Sequence, residues 1–170
     1  MRIADAIFER LKAEVSCVYF VPGGSSMFLV DALGRSGLRH ISCIHEQGAG
    51  YAAIGQAMVE SLGVCLTSAG PSATNAITAC AAAWTDSVPV LFISGQARVG
   101  SLIGDSGLRT RGAQEIAIIP MVTPITKYAR QPRTPADCLQ DLENAILLCK
   151  ASRAGPCWLS IPQDVSGEEL

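Results

Sequence analysis

Four segments of this chain are apolar along their whole length: "CVYFV" (17–21), "GVCLT" (63–67), "PVLFIS" (89–94) and "CWLSI" (157–161). None alternates apolar with polar, so each predicts a strand buried on both faces. Strands of that kind belong to parallel sheets, whose neighbours must be joined by long crossovers. The intervals between the four segments are long enough, and they carry helical periodicity. Two further segments, "HISCI" (40–44) and "PITKYA" (124–129), complete the set. The expectation is an α/β fold of three α/β/α layers around a parallel sheet of about six strands.

The helices follow from spacing and caps. Ile3, Ala6, Ile7 and Leu11 recur at helical intervals, and further helices are predicted over 26–36, 46–61 and 72–84. Thr134 is a natural N-cap, with Pro135 at the first position and Asp137 facing back. Leu139, Leu142, Ile146 and Cys149 then trace a buried face, and Gly155-Pro156 stops the helix. The Gly- and Arg-rich stretch 95–112 reads as a long loop. No repeat or low-complexity tract interrupts the pattern, so residues 1–170 read as a single domain.

Composition excludes several functions. The chain is 49% hydrophobic and 16% charged with a net charge of −2, which gives no basis for binding nucleic acid or an acidic membrane surface. No segment approaches the 18 unbroken apolar residues of a membrane span, and "MRIADAIFERLKAE" lacks the core of a secretory signal. The seven cysteines are odd in number, form no CxxC and sit within apolar segments, as free thiols of a reducing cytoplasm do. The low charge content points to further surface hidden in an oligomer.

Ligands of parallel sheets sit beyond the carboxyl ends of the strands. Pro22-Gly23-Gly24, His45-Glu46-Gln47, Ser68-Ala69-Gly70-Pro71 and Gly95-Gln96 leave those ends and should converge on one rim. The motifs GxGxxG, GxxxxGK[ST] and G-x-S-x-G are absent, and His40 and His45 lack the spacing of a zinc site, so no metal ligand is expected. A phosphate at the start of helix 72–84 stays open as an alternative. Glu46 stands out for its company. The helix that follows it carries Gly48, Gly50 and Gly55, each costing about 1 kcal/mol relative to alanine. A nearly bare helix beside an acid is the kind of local rule violation found at functional sites.

"PGG" after the first strand, "HEQGAGYAAIGQA", "GVCLTSAGPSATNAITACAAAWTDSVPVLFISGQ", "QE", "TKYA" and "AGPCWLSIPQDV" occur in that order. Together they resemble the N-terminal pyrimidine-binding (PYR) domain of acetolactate synthase-like, thiamine diphosphate-dependent enzymes. The resemblance implies transferase or lyase chemistry on a 2-oxo acid, by decarboxylation, carboligation or both. By motif, Glu46 is the catalytic glutamate that hydrogen-bonds pyrimidine N1′. Pro22, Gly23, Pro71 and Asn75 lie near the cofactor, and Gln114 lines the reaction space. A carboxylate in an apolar pocket is expected to have its pKa raised, which suits a proton carrier.

The resemblance further implies Mg²⁺ and the diphosphate held by a GDG…N domain that does not occur here. That domain is supplied in cis, the chain then being a fragment of a longer enzyme without its middle and C-terminal domains, or by a second chain. FAD in a full-length enzyme is left open. It also implies a homo-oligomer, dimer or tetramer, with the bare helix at a subunit contact. The alternatives are the alpha subunit of a split 2-oxo acid decarboxylase, a non-catalytic binding module of the same fold, and a phosphate- or nucleotide-binding domain. Two departures stand out: Ser72 replaces a usual glycine, and "GDSGLRTRGAQE" is longer than its counterpart, which leaves the substrate open.

Overall fold

The computed structural model describes residues 1–170. Six parallel strands form one sheet: β1 (Cys17–Phe20), β2 (Arg39–Ser42), β3 (Gly63–Thr67), β4 (Val90–Gln96), β5 (Tyr128–Arg130) and β6 (Cys157–Pro162). Their spatial order is β2-β1-β3-β4-β6-β5. The helices are α1 (Ile3–Leu11), α2 (Met27–Arg35), α3 (Glu46–Ala57), α4 (Pro71–Asn75), α5 (Ile77–Thr85), α6 (Ile118–Val122), α7 (Pro135–Lys150) and α8 (Gln163–Gly167); α1 precedes β1, α8 follows β6, and the others connect strands.

Successive strand residues point to opposite faces, and in the central strands β3, β4 and β6 both faces are dry. Val64, Leu66, Leu91, Ile93, Leu159 and Ile161 pack against α1, α2, α7 and α8 in one cluster of 26 buried residues. Cys65, Val90, Phe92 and Trp158 pack against α3 to α6 in a second cluster of 17. The three-layer α/β/α expectation holds. On the second face Phe92 and Trp158 stack with ring centroids 5.1 Å apart, and the buried indole Nε1 donates to Ser94 Oγ at 3.1 Å.

Several boundaries differ from the sequence reading. The helix expected over 72–84 divides at Ala76 into α4 and α5. The strand expected over 124–129 shrinks to Tyr128–Arg130, because the apolar residues before it wind into α6 and a 3₁₀ turn over Thr123–Ile125. The helix after Glu46 ends at Ala57 rather than continuing to 61. On α7, Cys138 and Ala145 are buried with Leu142, Ile146 and Cys149, while Leu139 is only half-buried. β2 is an edge strand exposed throughout, and it pairs only with β1.

The glycines of α3 separate into two kinds. A Cβ on Gly50 would stand 2.5 Å from Ala79 Cβ and 3.3 Å from the Phe92 ring, so α3 lies against α5 at a distance only glycine permits. A Cβ on Gly48 or Gly55 would meet nothing. The helix is therefore bare inward for packing and bare outward without any partner in its own chain.

Candidate functional site

The strand ends do converge. A Cβ on Gly23, after β1, would lie 2.4 Å from Ser68 Cβ after β3, and one on Gly95, in β4, 2.4 Å from the Ser25 carbonyl. Gly70 has φ +61, in the left-handed region that favours glycine, and a Cβ there would lie 2.0 Å from the Gln114 carbonyl. Four chain segments thus meet on one rim, at three glycines where a side chain would not fit.

The carboxylate enters that rim from α3. His45 is the N-cap, its Nδ1 accepting the Gln47 N–H at 3.2 Å, and Glu46 opens the helix with 8% of its surface exposed. Asn75, at the end of α4, donates from Nδ2 to Glu46 Oε2 at 3.0 Å. Around the buried acid, Pro22, Pro71, Asn75 and Gln114 are exposed and Gly23 is half-buried. Gln114 is itself left-handed at φ +55, and its carbonyl closes on the Gly70 turn. The structure therefore links Glu46 with Asn75, and Gly70 with Gln114, and sets Pro22-Gly23 against Ser68.

The expected upward pKa shift of Glu46 is overturned. Burial does push the carboxyl up, but the Ser72 hydroxyl, the Asn75 amide, the backbone N–H at the helix start and His45 together outweigh it, leaving the group below the usual glutamate value. A helix N-terminus stabilises a carboxylate in the same sense. Beneath it the Cys65 thiol is pushed well up by burial, helped by the nearby Cys43 and Glu46.

Two residues of the rim have no role of their own in the sequence reading. Glu115 is a buried carboxylate whose partners are backbone N–H groups: Ile103 at 2.5 Å, Gly112 at 3.0 Å and Arg111 at 3.3 Å. It ties down the loop that presents Gln114; its adjacency in the "QE" pair was the available signal. Gln96, at the end of β4, donates to the Ile116 carbonyl at 3.0 Å and accepts the Ala97 N–H at 2.9 Å. Arg109 and Arg111 lie exposed on the loop, while Arg98 Nε reaches Gln163 Oε1 at 3.4 Å.

The largest cavity, about 590 Å³, is at the opposite end of the sheet, between Trp84, Ser87, Lys127 and Arg153. Its cations are engaged: Lys127 Nζ donates to the Ala151 carbonyl at 2.9 Å and Arg153 Nε to Ser87 Oγ at 3.2 Å. They sit where α5 and α7 end, and helix C-termini favour positive charge. That cavity is accounted for without a ligand. No three His, Cys, Asp or Glu side chains converge as a metal site, and no helix is long and apolar enough to cross a membrane.

A carboxylate accepts about four hydrogen bonds, and the chain gives Glu46 fewer, so it retains capacity for a ligand nitrogen. Glycine turns beside it allow a flat group to approach. These features fit the pyrimidine of thiamine diphosphate.

Comparisons with known proteins agree. The chain is 37% identical to the probable acetolactate synthase large subunit of Methanocaldococcus jannaschii, over all of this chain and 28% of that protein. It is 40% identical to the acetolactate synthase large subunit of Corynebacterium glutamicum, over 95% of this chain and 25% of that one. For the isozyme 1 large subunit of Escherichia coli the figures are 39%, 89% and 26%. The chain thus spans about a quarter of the length of these relatives. Residues 1–119 match the model of the thiamine pyrophosphate enzyme N-terminal TPP binding domain, and the chain belongs to that family.

Proposed function

We propose that this chain is the pyrimidine-binding domain of a thiamine diphosphate-dependent, acetolactate synthase-like enzyme acting on a 2-oxo acid. The observation that carries the reading is Glu46: a nearly buried carboxylate, held by Asn75 at 3.0 Å, on the rim where the glycine turns converge. Bound thiamine diphosphate supplies the carbon centre that adds to a 2-oxo acid and takes up electrons when carbon dioxide leaves.

Glu46 would hold the proton shared with pyrimidine N1′. Asn75 fixes which way the carboxylate points. Gly23 and Gly70 keep the floor of the site free of side chains, and Pro22 and Pro71 border it. Gln114, presented by the Glu115-braced loop, reaches toward the reacting atoms. A proton carrier works best with a pKa near the working pH. The protein's own donors hold Glu46 low, and exclusion of water from the occupied site would raise it.

The chain carries no GDG…N motif, so the diphosphate and Mg²⁺ are held by another domain, in cis or in a second chain, with FAD left open. The site is completed by a second copy of this chain packed on the outer face of α3. There Gly48 and Gly55 are open and Tyr51, Met58 and Val59 are exposed. An unpaired face of this composition suits a two-fold contact in a dimer or tetramer. All seven cysteines are free thiols, most of them buried, as suits a cytoplasmic protein.

The test is amide-resolved NMR of the 170-residue chain with thiamine diphosphate added. The expected result is shift changes at Gly23, Glu46, Gly70, Asn75 and Gln114, saturating even if binding is weak. Changes confined to the Trp84–Arg153 cavity, or none at the rim, would overturn the assignment.

A further inference from the structure

Gln96 closes β4 and is 1% exposed. Its Oε1 accepts the Ala97 N–H at 2.9 Å, while Nε2 donates to the Ile116 carbonyl at 3.0 Å and to Gln131 Oε1 at 3.3 Å. A backbone N–H only donates and a carbonyl only accepts, so the amide has a single orientation. The two backbone groups it holds bear on both sides of Gln114. Ile116 follows Gln114 by two positions. Gly112, two positions before it, lies against Ala97, where a Cβ on the glycine would be 2.4 Å from Ala97 Cβ.

No other strand residue hydrogen-bonds to residues 98–117. Arg98 and Val99 bond to α8, and Glu115 gathers the N–H groups of Ile103, Arg111 and Gly112, which closes the loop on itself. A cavity of about 310 Å³, lined by Ile103, Glu115, Ile116, Ala129 and Gln131 among others, lies behind that loop, so Ile116 is not wedged in place from that side. Gln114 is nevertheless held at φ +55, a backbone state that persists in a non-glycine residue only where its surroundings enforce it. We propose that Gln96 is a positioning residue for Gln114: it mounts the loop that Glu115 closes onto the end of β4, and so sets where Gln114 stands on the rim. Gly95, the residue before it, lies against Ser25, and successive strand residues face opposite ways. One strand end thereby fixes both the turn after β1 and the loop that carries Gln114.

The inference rests on the reading of Gln114 as lining the reaction space. Its test replaces Gln96 by methionine, which keeps the length and the burial but has no N–H to give. In the folded Gln96→Met 170-residue chain, the backbone amides of residues 112–116 should shift in NMR spectra and exchange with solvent about 10-fold faster, while those of β3 hold. In the enzyme assembled with its diphosphate-binding domain, with pyruvate as the 2-oxo acid probe, Gln96→Met should lower kcat/KM toward the value of Gln114→Ala. The double variant should then fall within about twofold of Gln114→Ala alone, because a residue that acts through Gln114 has nothing left to act on. In the unmutated chain the Gln96 side-chain NH₂ protons should exchange about 10-fold more slowly than those of the exposed Gln140. Losses that multiply in the double variant, amides 112–116 unmoved in Gln96→Met, or Gln96 protons exchanging like those of Gln140 overturn the proposal. The last measurement decides it should the variant fail to fold. Gln114→Ala turning over like wild type would sink the reading of Gln114 alone, with the amide results on Gln96 intact.

Discussion

Gly50 and Gly55 lie on one helix, and alanine should act on them with opposite sign. In each case the substitution removes backbone freedom from the unfolded chain and favours the helix by about 0.5–1 kcal/mol. At Gly55 nothing opposes this, since a Cβ there meets open space. At Gly50 the new methyl would stand 2.5 Å from Ala79 Cβ and 3.3 Å from the Phe92 ring. Ala79 is a short side chain on α5 and cannot swing away, so the two helices must part. Overpacking of this kind costs about 1–3 kcal/mol. Because the propensity gain is common to both, the difference between the variants isolates the packing cost, and Gly50→Ala should be the less stable by about 1–3 kcal/mol. Urea unfolding followed by circular dichroism measures this at two protein concentrations. Gly55→Ala should be at least as stable as wild type when dilute, and should lose any concentration dependence if that face meets a second chain. Gly50→Ala proving as stable as Gly55→Ala would refute the claim that glycine sets the α3–α5 distance.

Glu46→Gln, in the enzyme assembled with its diphosphate-binding domain, should slow hydrogen–deuterium exchange at cofactor C2 by about 10²–10⁴-fold, the usual loss for a positioned acid–base group; an unchanged rate would reduce Glu46 to a helix-start residue. Asn75→Ala removes the donor at 3.0 Å and should raise the Glu46 midpoint in an NMR titration, whereas no movement would mean that the amide is incidental. Acid should weaken the fold through Glu14, which burial pushes up but Lys150 and Arg10 bring to a net value below that of an ordinary, unfolded-chain glutamate. Its contribution is present above that unfolded value and lost as pH falls through the lower folded one, so Glu14→Gln should flatten urea stability between pH 7 and acid pH. The purified chain should show no 2-oxo acid turnover, and measurable carbon dioxide release would refute the assignment of diphosphate and metal to another domain.

The sheet was legible because its central strands need no partner to be recognised. Burial on both faces leaves a continuous apolar run in β3, β4 and β6, and the structure keeps all three within a residue or two of the reading. Where it failed, at 124–129, the same apolar signal was satisfied by a short buried helix and turn. Periodicity over six residues does not separate these from a strand. The break at Ala76 had no signal either, since "SATNAITACAAAW" is uniformly small. It matters nonetheless, because Asn75, the last residue of α4 before that break, reaches Glu46, 29 residues earlier in sequence. Burial of Glu46 was legible from its neighbours, but the sign of its pKa shift was not. That sign depends on which donors a distant turn delivers, and Ser72 looked only like a missing glycine.

The depressed pKa of Glu46 bears on how the site would work. An acid held low by Ser72, Asn75 and the helix start is an acceptor waiting for a donor, with little tendency to pick up a proton from water at neutral pH. A ring nitrogen that carries no hydrogen would bond to it only if the pair took up one proton to share. The same ring removes the remaining water, and in a drier site the charge costs more. The carboxylate's proton affinity therefore rises only once the partner with which it must share the proton is in place. A glutamate already raised by an apolar pocket would carry that proton part of the time before the ring arrived. The polar donors on α4 instead make uptake of the shared proton part of ring binding. Their loss should let the acid take up its proton at a higher pH, which makes ring binding less dependent on pH.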